Sequence, residues 1–278
     1  METAVHHGRE TAYRTVDTEE PGLCYVHGSG ADHRLWVQQY ANGGVALDLS
    51  GHGESEDIDA DPGYEALSAY ADDVLAVAEA TNSRVLVGNS LGGAVCLHAL
   101  LERETEFDAL VLAGSGAKLG VLSRLRDWLE TDFERAIAFL HEPDTLFHDP
   151  GALGSDTDGT SGSDGADEID GTGKTDGNDP VERSKATTRA TGRAVTRRDF
   201  LSCHRFDVRD RLDEIEVPTL ALCGEYDRLT PPEYHRYLAA GIPEADCEVL
   251  PDAAHLAMLE QPEDFDDAVA RFLGRRFD

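Results

Sequence analysis

One short segment, Gly88-Asn89-Ser90-Leu91-Gly92-Gly93, constrains this chain more than any other. It follows an apolar run at 84–87 (RVLV) and opens a helical pattern at 91–101. A serine on a tight strand-to-helix turn is held in a strained backbone conformation with its hydroxyl exposed above the sheet edge. Glycine is needed two residues to either side, at Gly88 and Gly92, because side chains there would collide. The N-terminus of the following helix also favours developing negative charge, through its dipole and its free N–H groups. Such a turn needs a strand inside a sheet and a helix packed behind it.

Other runs repeat that arrangement. Short apolar stretches at 23–26, 44–49, 109–113, 219–223 and 247–250 each end in turn residues. They are apolar on both faces, as parallel strands covered by helices should be. Two weaker candidates, 3–7 and 11–16, would form a starting hairpin. Between the runs lie helical periods at 64–80 and 264–272. Alternating strand and helix patterns give an α/β layer fold with a mostly parallel central sheet.

The middle of the chain differs. Residues 122–140 carry apolar side chains at helical spacing and read as one amphipathic helix. The stretch 151–180 then holds eight glycines, eight acidic residues and one lysine. It cannot bury enough apolar surface to offset its ordering entropy and is expected to be disordered. Residues 181–198 are arginine-rich and are expected to form one or two helices whose charge meets acidic surroundings as a solvated face.

A serine hydroxyl is a weak nucleophile. It needs a base, and the base needs an orienting carboxylate. On a strand–serine–helix turn these follow in the order serine, acid, histidine. Asp227 lies in GEYDRLTP, just after the strand candidate 219–223, and His255 lies in PDAAH, just after 247–250. Catalytic groups belong at the carboxyl ends of strands in an open α/β sheet. Asp252, three residues before His255, reads as a local turn residue. For an oxyanion, the Leu91 N–H is one donor. The second comes from His27-Gly28-Ser29-Gly30, with the Ser29 N–H as first choice and the Gly30 N–H as fallback.

With these segments assembled, the chain resembles α/β-hydrolase-fold serine hydrolases of the capped, esterase-like kind. The matching residues are HGSG at 27–30, DLSGHGES at 48–55, GNSLGG at 88–93, GEYDRLTP at 224–231 and DAAHLAMLEQPE at 252–263. The resemblance implies a core of 1–114 and 207–278, with helices on both faces of the sheet. It also implies a helical cap at 115–206, inserted after the sixth strand, and roles for Ser90 as nucleophile, Asp227 as acid and His255 as base. The expected substrate is a small molecule with an ester-type bond. A carbon–carbon bond hydrolase, an enol-lactonase, a cofactor-free perhydrolase and a non-catalytic ligand sensor remain alternatives.

Composition narrows the partners. The 278 residues include 55 acidic and 24 basic side chains, a formal net charge of −31. That argues against nucleic acid, because phosphate binding needs a concentrated basic surface. No apolar run approaches the ~20 residues needed to span a bilayer, so no membrane partner is expected. No secretory signal is seen, and a cytoplasmic location is expected. Only three of the basic residues are lysines (Lys118, Lys174, Lys185). An acidic, lysine-poor chain resembles proteins of salt-loving archaea, in which salt screens the self-repulsion. Five cysteines without a CxxC pair argue against a disulfide framework or a zinc site, and neither metal nor cofactor is expected. Most of the eleven histidines read as structural, and His204, at the end of the cap, could line the pocket.

Overall fold

A computed structural model describes residues 1–16, 22–151, 153 and 179–277. The expectation of disorder at 151–180 falls almost wholly outside them. The strands are β1 (Glu2–His6), β2 (Arg9–Val16), β3 (Leu23–Val26), β4 (Gly44–Leu47), β5 (Val85–Asn89), β6 (Ala109–Ala113), β7 (Thr219–Gly224) and β8 (Ala245–Leu250). They form one sheet in the order β1-β2-β4-β3-β5-β6-β7-β8. β1 and β2 form an antiparallel hairpin, β2 runs antiparallel to β4, and every later pairing is parallel.

The strand sequences explain why both faces are covered. Successive side chains on a strand point to opposite faces, so a strand apolar at every position must be buried twice. Leu86, Leu110 and Leu112 pack on one face with Leu67, Val74 and Val95. Those partners come from α1 (Tyr64–Thr81) and α2 (Leu91–Glu102). Val85, Val87 and Val111 pack on the other face with Trp36, Phe265 and Phe272.

Between β6 and β7 the chain forms α3 (Ser123–Thr131), α4 (Phe133–Leu140) and α5 (Pro180–Arg205). The single helix expected at 122–140 is therefore two. Asp132, at φ −147° and ψ 80°, ends α3 and starts α4, where its carboxylate accepts a hydrogen bond from the Arg135 N–H. A short acidic side chain satisfies a free N-terminal donor and stabilises such a start. The apolar spacing runs through the break because both helices feed one cluster, with Leu125 and Leu129 from α3 and Phe139 and Leu140 from α4. α5 is interrupted at Gly192, which sits at φ 81°. Two of its arginines do meet acids, Arg189 pairing with Glu134 and Arg197 with Glu130. Arg198 departs from the expected solvated face and is buried. The chain closes with α6 (Pro232–Gly241), α7 (Ala257–Glu260) and α8 (Pro262–Phe277). Among the described residues no helix is long and apolar enough to cross a membrane.

Parallel pairing has one consequence for chemistry. β3, β5, β7 and β8 all point the same way, so the loops after Val26, Asn89, Gly224 and Leu250 emerge at one edge of the sheet. α3–α5 enter the chain at that same edge, after Ala113 of β6.

Candidate active site

Ser90 occupies the turn between β5 and α2 at φ 53° and ψ −112°. A non-glycine residue there is strained, and the surroundings must hold it. The Ser90 N–H donates to the Ala113 carbonyl at 3.0 Å, and the Ser115 hydroxyl donates to the Ser90 carbonyl at 2.9 Å. The flanking glycines are required by space. A Cβ on Gly88 would lie 2.6 Å from the Gly92 carbonyl, and one on Gly92 would lie 2.3 Å from the Val26 carbonyl oxygen. Among the described residues the Ser90 hydroxyl has no hydrogen-bond partner, and it faces a cavity of about 290 Å³.

His255 lines the same cavity from the loop after β8. Its Nδ1 lies 2.9 Å from Asp227 Oδ2. Asp227 is clamped from the other side, where Oδ1 accepts the N–H groups of Leu229 and Thr230, both at 2.8 Å. The Thr230 hydroxyl donates to Asp227 Oδ2 at 2.7 Å and lies 3.2 Å from His255 Nδ1. Burial by itself would raise the Asp227 pKa. The neighbouring His255 and the Thr230 bonds outweigh it, and the carboxyl is held below its ordinary range. An ionised carboxylate only accepts, so Nδ1 of His255 carries the proton and Nε2 presents its lone pair. Asp252 is exposed, in the turn before His255.

Ser29 also lines the cavity. Among the described residues neither its N–H nor that of Leu91 donates a hydrogen bond. The Gly30 N–H does, to Asp199 Oδ2 at 3.0 Å. Of the two candidates for the second donor, Gly30 is therefore occupied and Ser29 is not.

The cavity walls come mostly from α3–α5 and the loops facing them. Leu125, Phe139, Leu140 and Phe200 give an apolar wall, while Arg34, Arg183 and Arg228 reach it with charge. Arg34 pairs with Asp32 and Arg228 with Asp144. The half-buried Arg183 guanidinium has no partner among the described residues.

Several other polar groups have structural roles. His235, beneath Gly114 and Ser115, accepts the Ser115 N–H at 3.0 Å, and burial pushes its pKa down to about 4, so it stays neutral. His27 donates from Nδ1 to the Gly28 carbonyl and accepts the Leu49 N–H at Nε2. His204 does not line the cavity, and its Nδ1 takes the Val121 N–H at 3.4 Å. Asp32, His33 and Asp48 bring three potential metal-ligand atoms within 4.8 Å of one another. Each carboxylate is already engaged, Asp32 by Arg34 and Asp48 by His33 and the Glu54 N–H. That arrangement fits an ion-paired turn.

Sequence reasoning missed Thr230, Asp199 and Arg183. Thr230 carried a usable signal, since a Thr three residues after an Asp fits an aspartate-headed turn. Asp199 meets partners far away in the chain and Arg183 is one of several arginines in a run, so neither had a local signature.

Comparison with known proteins agrees with this fold. The sequence matches the model of the alpha/beta hydrolase family over residues 25–268. It is 26% identical to a 2-hydroxy-6-oxo-6-(2'-aminophenyl)hexa-2,4-dienoic acid hydrolase of Metapseudomonas resinovorans, over 98% of this chain and 90% of that one. It is 27% identical to a 3-oxoadipate enol-lactonase of Acinetobacter baylyi, over 88% and 85% of the two chains. A solved thermophilic esterase superposes with a TM-score of 0.80 at 28% identity, over 99% of this chain and 98% of that one.

Proposed function

The chain belongs to the alpha/beta hydrolase family, and we propose that it is a serine hydrolase cleaving an ester-type bond of a small molecule through an acyl-enzyme on Ser90. The observation that carries this reading is the Asp227–His255 pair. It orients the His255 ring in the cavity that also takes the Ser90 hydroxyl, and among the described residues neither Nε2 of His255 nor that hydroxyl has another hydrogen-bond partner. His255 takes the Ser90 proton as Oγ attacks the carbonyl. The N–H groups of Ser29 and Leu91 hold the oxyanion. His255 then protonates the leaving group, and the same base activates water for deacylation. Asp227 keeps the ring in the right tautomer and stabilises its cation. Residues 115–206 act as the cap that shapes the substrate cavity.

Ser90→Ala and His255→Ala should each lower turnover of a simple ester at least a thousandfold while the melting temperature stays close to wild type. A variant retaining a tenth of wild-type activity would overturn the assignment.

A second reading concerns the bond cleaved. Relatives named as an enol-lactonase and a dienoic acid hydrolase act on molecules that are themselves acids. Arg183, without a partner among the described residues and in an otherwise apolar or charge-balanced cavity, supports a substrate bearing a carboxylate. Parallel assays with a neutral ester, an acidic monoester, a lactone and a dienone acid separate these possibilities.

The acidic, lysine-poor composition supports a protein that works in a salt-rich cytoplasm. Its melting temperature should rise as potassium chloride increases toward molar levels, since screening relieves self-repulsion. A melting temperature indifferent to salt would count against that reading.

A further inference from the structure

Asp199 lies on α5, yet its side chain is fully buried against residues from before Ala113. Oδ2 accepts from the Gly30 N–H at 3.0 Å and from His52 Nε2 at 2.9 Å, and Oδ1 accepts from the Tyr70 hydroxyl at 2.8 Å. His52 Nδ1 faces the carbonyl oxygens of Leu49 and Ser50, at 3.3 and 3.2 Å. Both ring nitrogens thus face acceptors, so both carry protons, and the buried pair is an imidazolium and a carboxylate. A buried charge pair of this kind is costly unless its remaining hydrogen bonds are also made, and here they are.

We propose that Asp199 is a positioning residue for the oxyanion hole, so that the hole is complete only while α5 is seated. The inference rests on the serine-hydrolase reading of the site. In a planar trans peptide the N–H points opposite to the preceding C=O. The Gly28 carbonyl accepts from Ala31 N at 3.2 Å and His27 Nδ1 at 2.9 Å, which turns the Ser29 N–H the other way. Those bonds come from the loop itself. The next two peptides are held by α5. Asp199 takes the Gly30 N–H, and the Thr191 hydroxyl donates to the Gly30 carbonyl at 3.3 Å. Gly30 sits at φ 67°, with Thr188 and Thr196 3.2–3.3 Å from where its Cβ would be. Without Asp199 the Gly30 N–H would be a free donor, and a loop with glycine at 28 and 30 could rotate its peptides and move the Ser29 N–H off the oxyanion.

The experiment measures kcat and KM on an activated ester, inhibition by a trifluoromethyl ketone, binding of the product acid, and melting temperature. Asp199→Ala should lower kcat tenfold or more, with KM within about twofold, because losing an oxyanion donor outright typically costs ~10²–10³. The ketone, which builds an oxyanion, should weaken in step with kcat, while product-acid binding should not. Asp199→Asn, whose amide oxygen can still take the Gly30 N–H, should recover most of the loss. Tyr70→Phe removes a partner of Asp199 that does not touch Gly30, and it should lower the melting temperature while kcat stays within twofold. Should Asp199→Ala fail to fold, Thr191→Val carries the test, with a kcat about threefold lower at an unchanged melting temperature. A folded Asp199→Ala with wild-type kcat, equal losses of ketone and product-acid binding, or an unchanged kcat in Thr191→Val would overturn the proposal. Failure of the wild-type chain to turn over any ester, or to be inhibited by the ketone, would overturn the hydrolase reading beneath it.

Discussion

The edge of the sheet that carries Ser90, Asp227 and His255 and the layer of α3–α5 above it are built on different principles. At the edge each chemical group is fixed by its own loop. Ser90 is held by glycines two residues away, and Asp227 by N–H groups two and three residues away. Asp227 and His255 are 28 residues apart and meet because β7 and β8 are parallel neighbours. The helical layer is instead fastened by side chains distant in sequence. Asp199 meets His52 across 147 residues, and Arg198 meets Asp57 across 141. Local backbone geometry sets the candidate triad, and long-range polar pairs fasten the cover. Apart from the Asp199–Gly30 junction, where the two meet, they should therefore fail separately when perturbed.

The largest separation is expected from Asp227→Asn. The amide cannot serve as the charged partner of His255, so kcat should fall about 10³–10⁴-fold, as losing the orienting acid of a triad does. Stability should change far less, because Asn retains an oxygen for the Leu229 and Thr230 N–H groups. A large loss of stability with a small loss of kcat would break the contrast.

Arg198→Met should do the reverse. The buried guanidinium donates to the Tyr70 hydroxyl, the Ile58 and Ser50 carbonyls and Asp57. Removing one member of such a network leaves the others unpaired, and a loss of about 3 kcal/mol is expected in denaturant unfolding. The phosphonylation rate of Ser90 in the folded fraction should change much less than in Asp227→Asn.

Acidity sharpens the contrast with a smaller effect. Burial foremost, with the nearby His52 charge for His27, pushes His27 and His235 down to about 4, against about 6.5 for an ordinary histidine. The unfolded chain binds these protons first, so their stabilisation is full above about 6.5 and is lost as pH falls toward 4. His52 runs the other way. Burial opposes its charge, but Asp199 and the Ser50 carbonyl outweigh that, and its pKa is raised. Its contribution is full below about 6.5 and is lost as pH rises through the raised value. Melting curves across pH should show acid weakening the strand-edge loops beneath the site. Alkali should weaken the α5 junction, read as faster proteolysis of α3–α5. The same pH response in a His52→Gln variant would contradict the assignment of the alkaline limb.

The same division explains what could be read from sequence. All eight strands were legible, including the weak hairpin, because apolar runs ending in turn residues report a local requirement. The triad candidates were legible because strand ends set their place. The break at Asp132 was hidden, since the apolar period of α3 continues into α4 on the same cluster. Arg198 reads in sequence as part of a solvated face, because an arginine in an arginine-rich run gives no sign of a partner at Asp57. The engagement of the Gly30 N–H was hidden too, because no spacing rule connects Asp199 to the HGSG turn.

The central claim is that Ser90 is an activated nucleophile, and intact-mass measurement after fluorophosphonate treatment tests it most directly. In potassium-rich buffer the wild-type chain should gain one adduct and Ser90→Ala none, with His255→Ala reacting far more slowly. Folded wild-type protein that gains no adduct, or an adduct that survives Ser90→Ala, would contradict it.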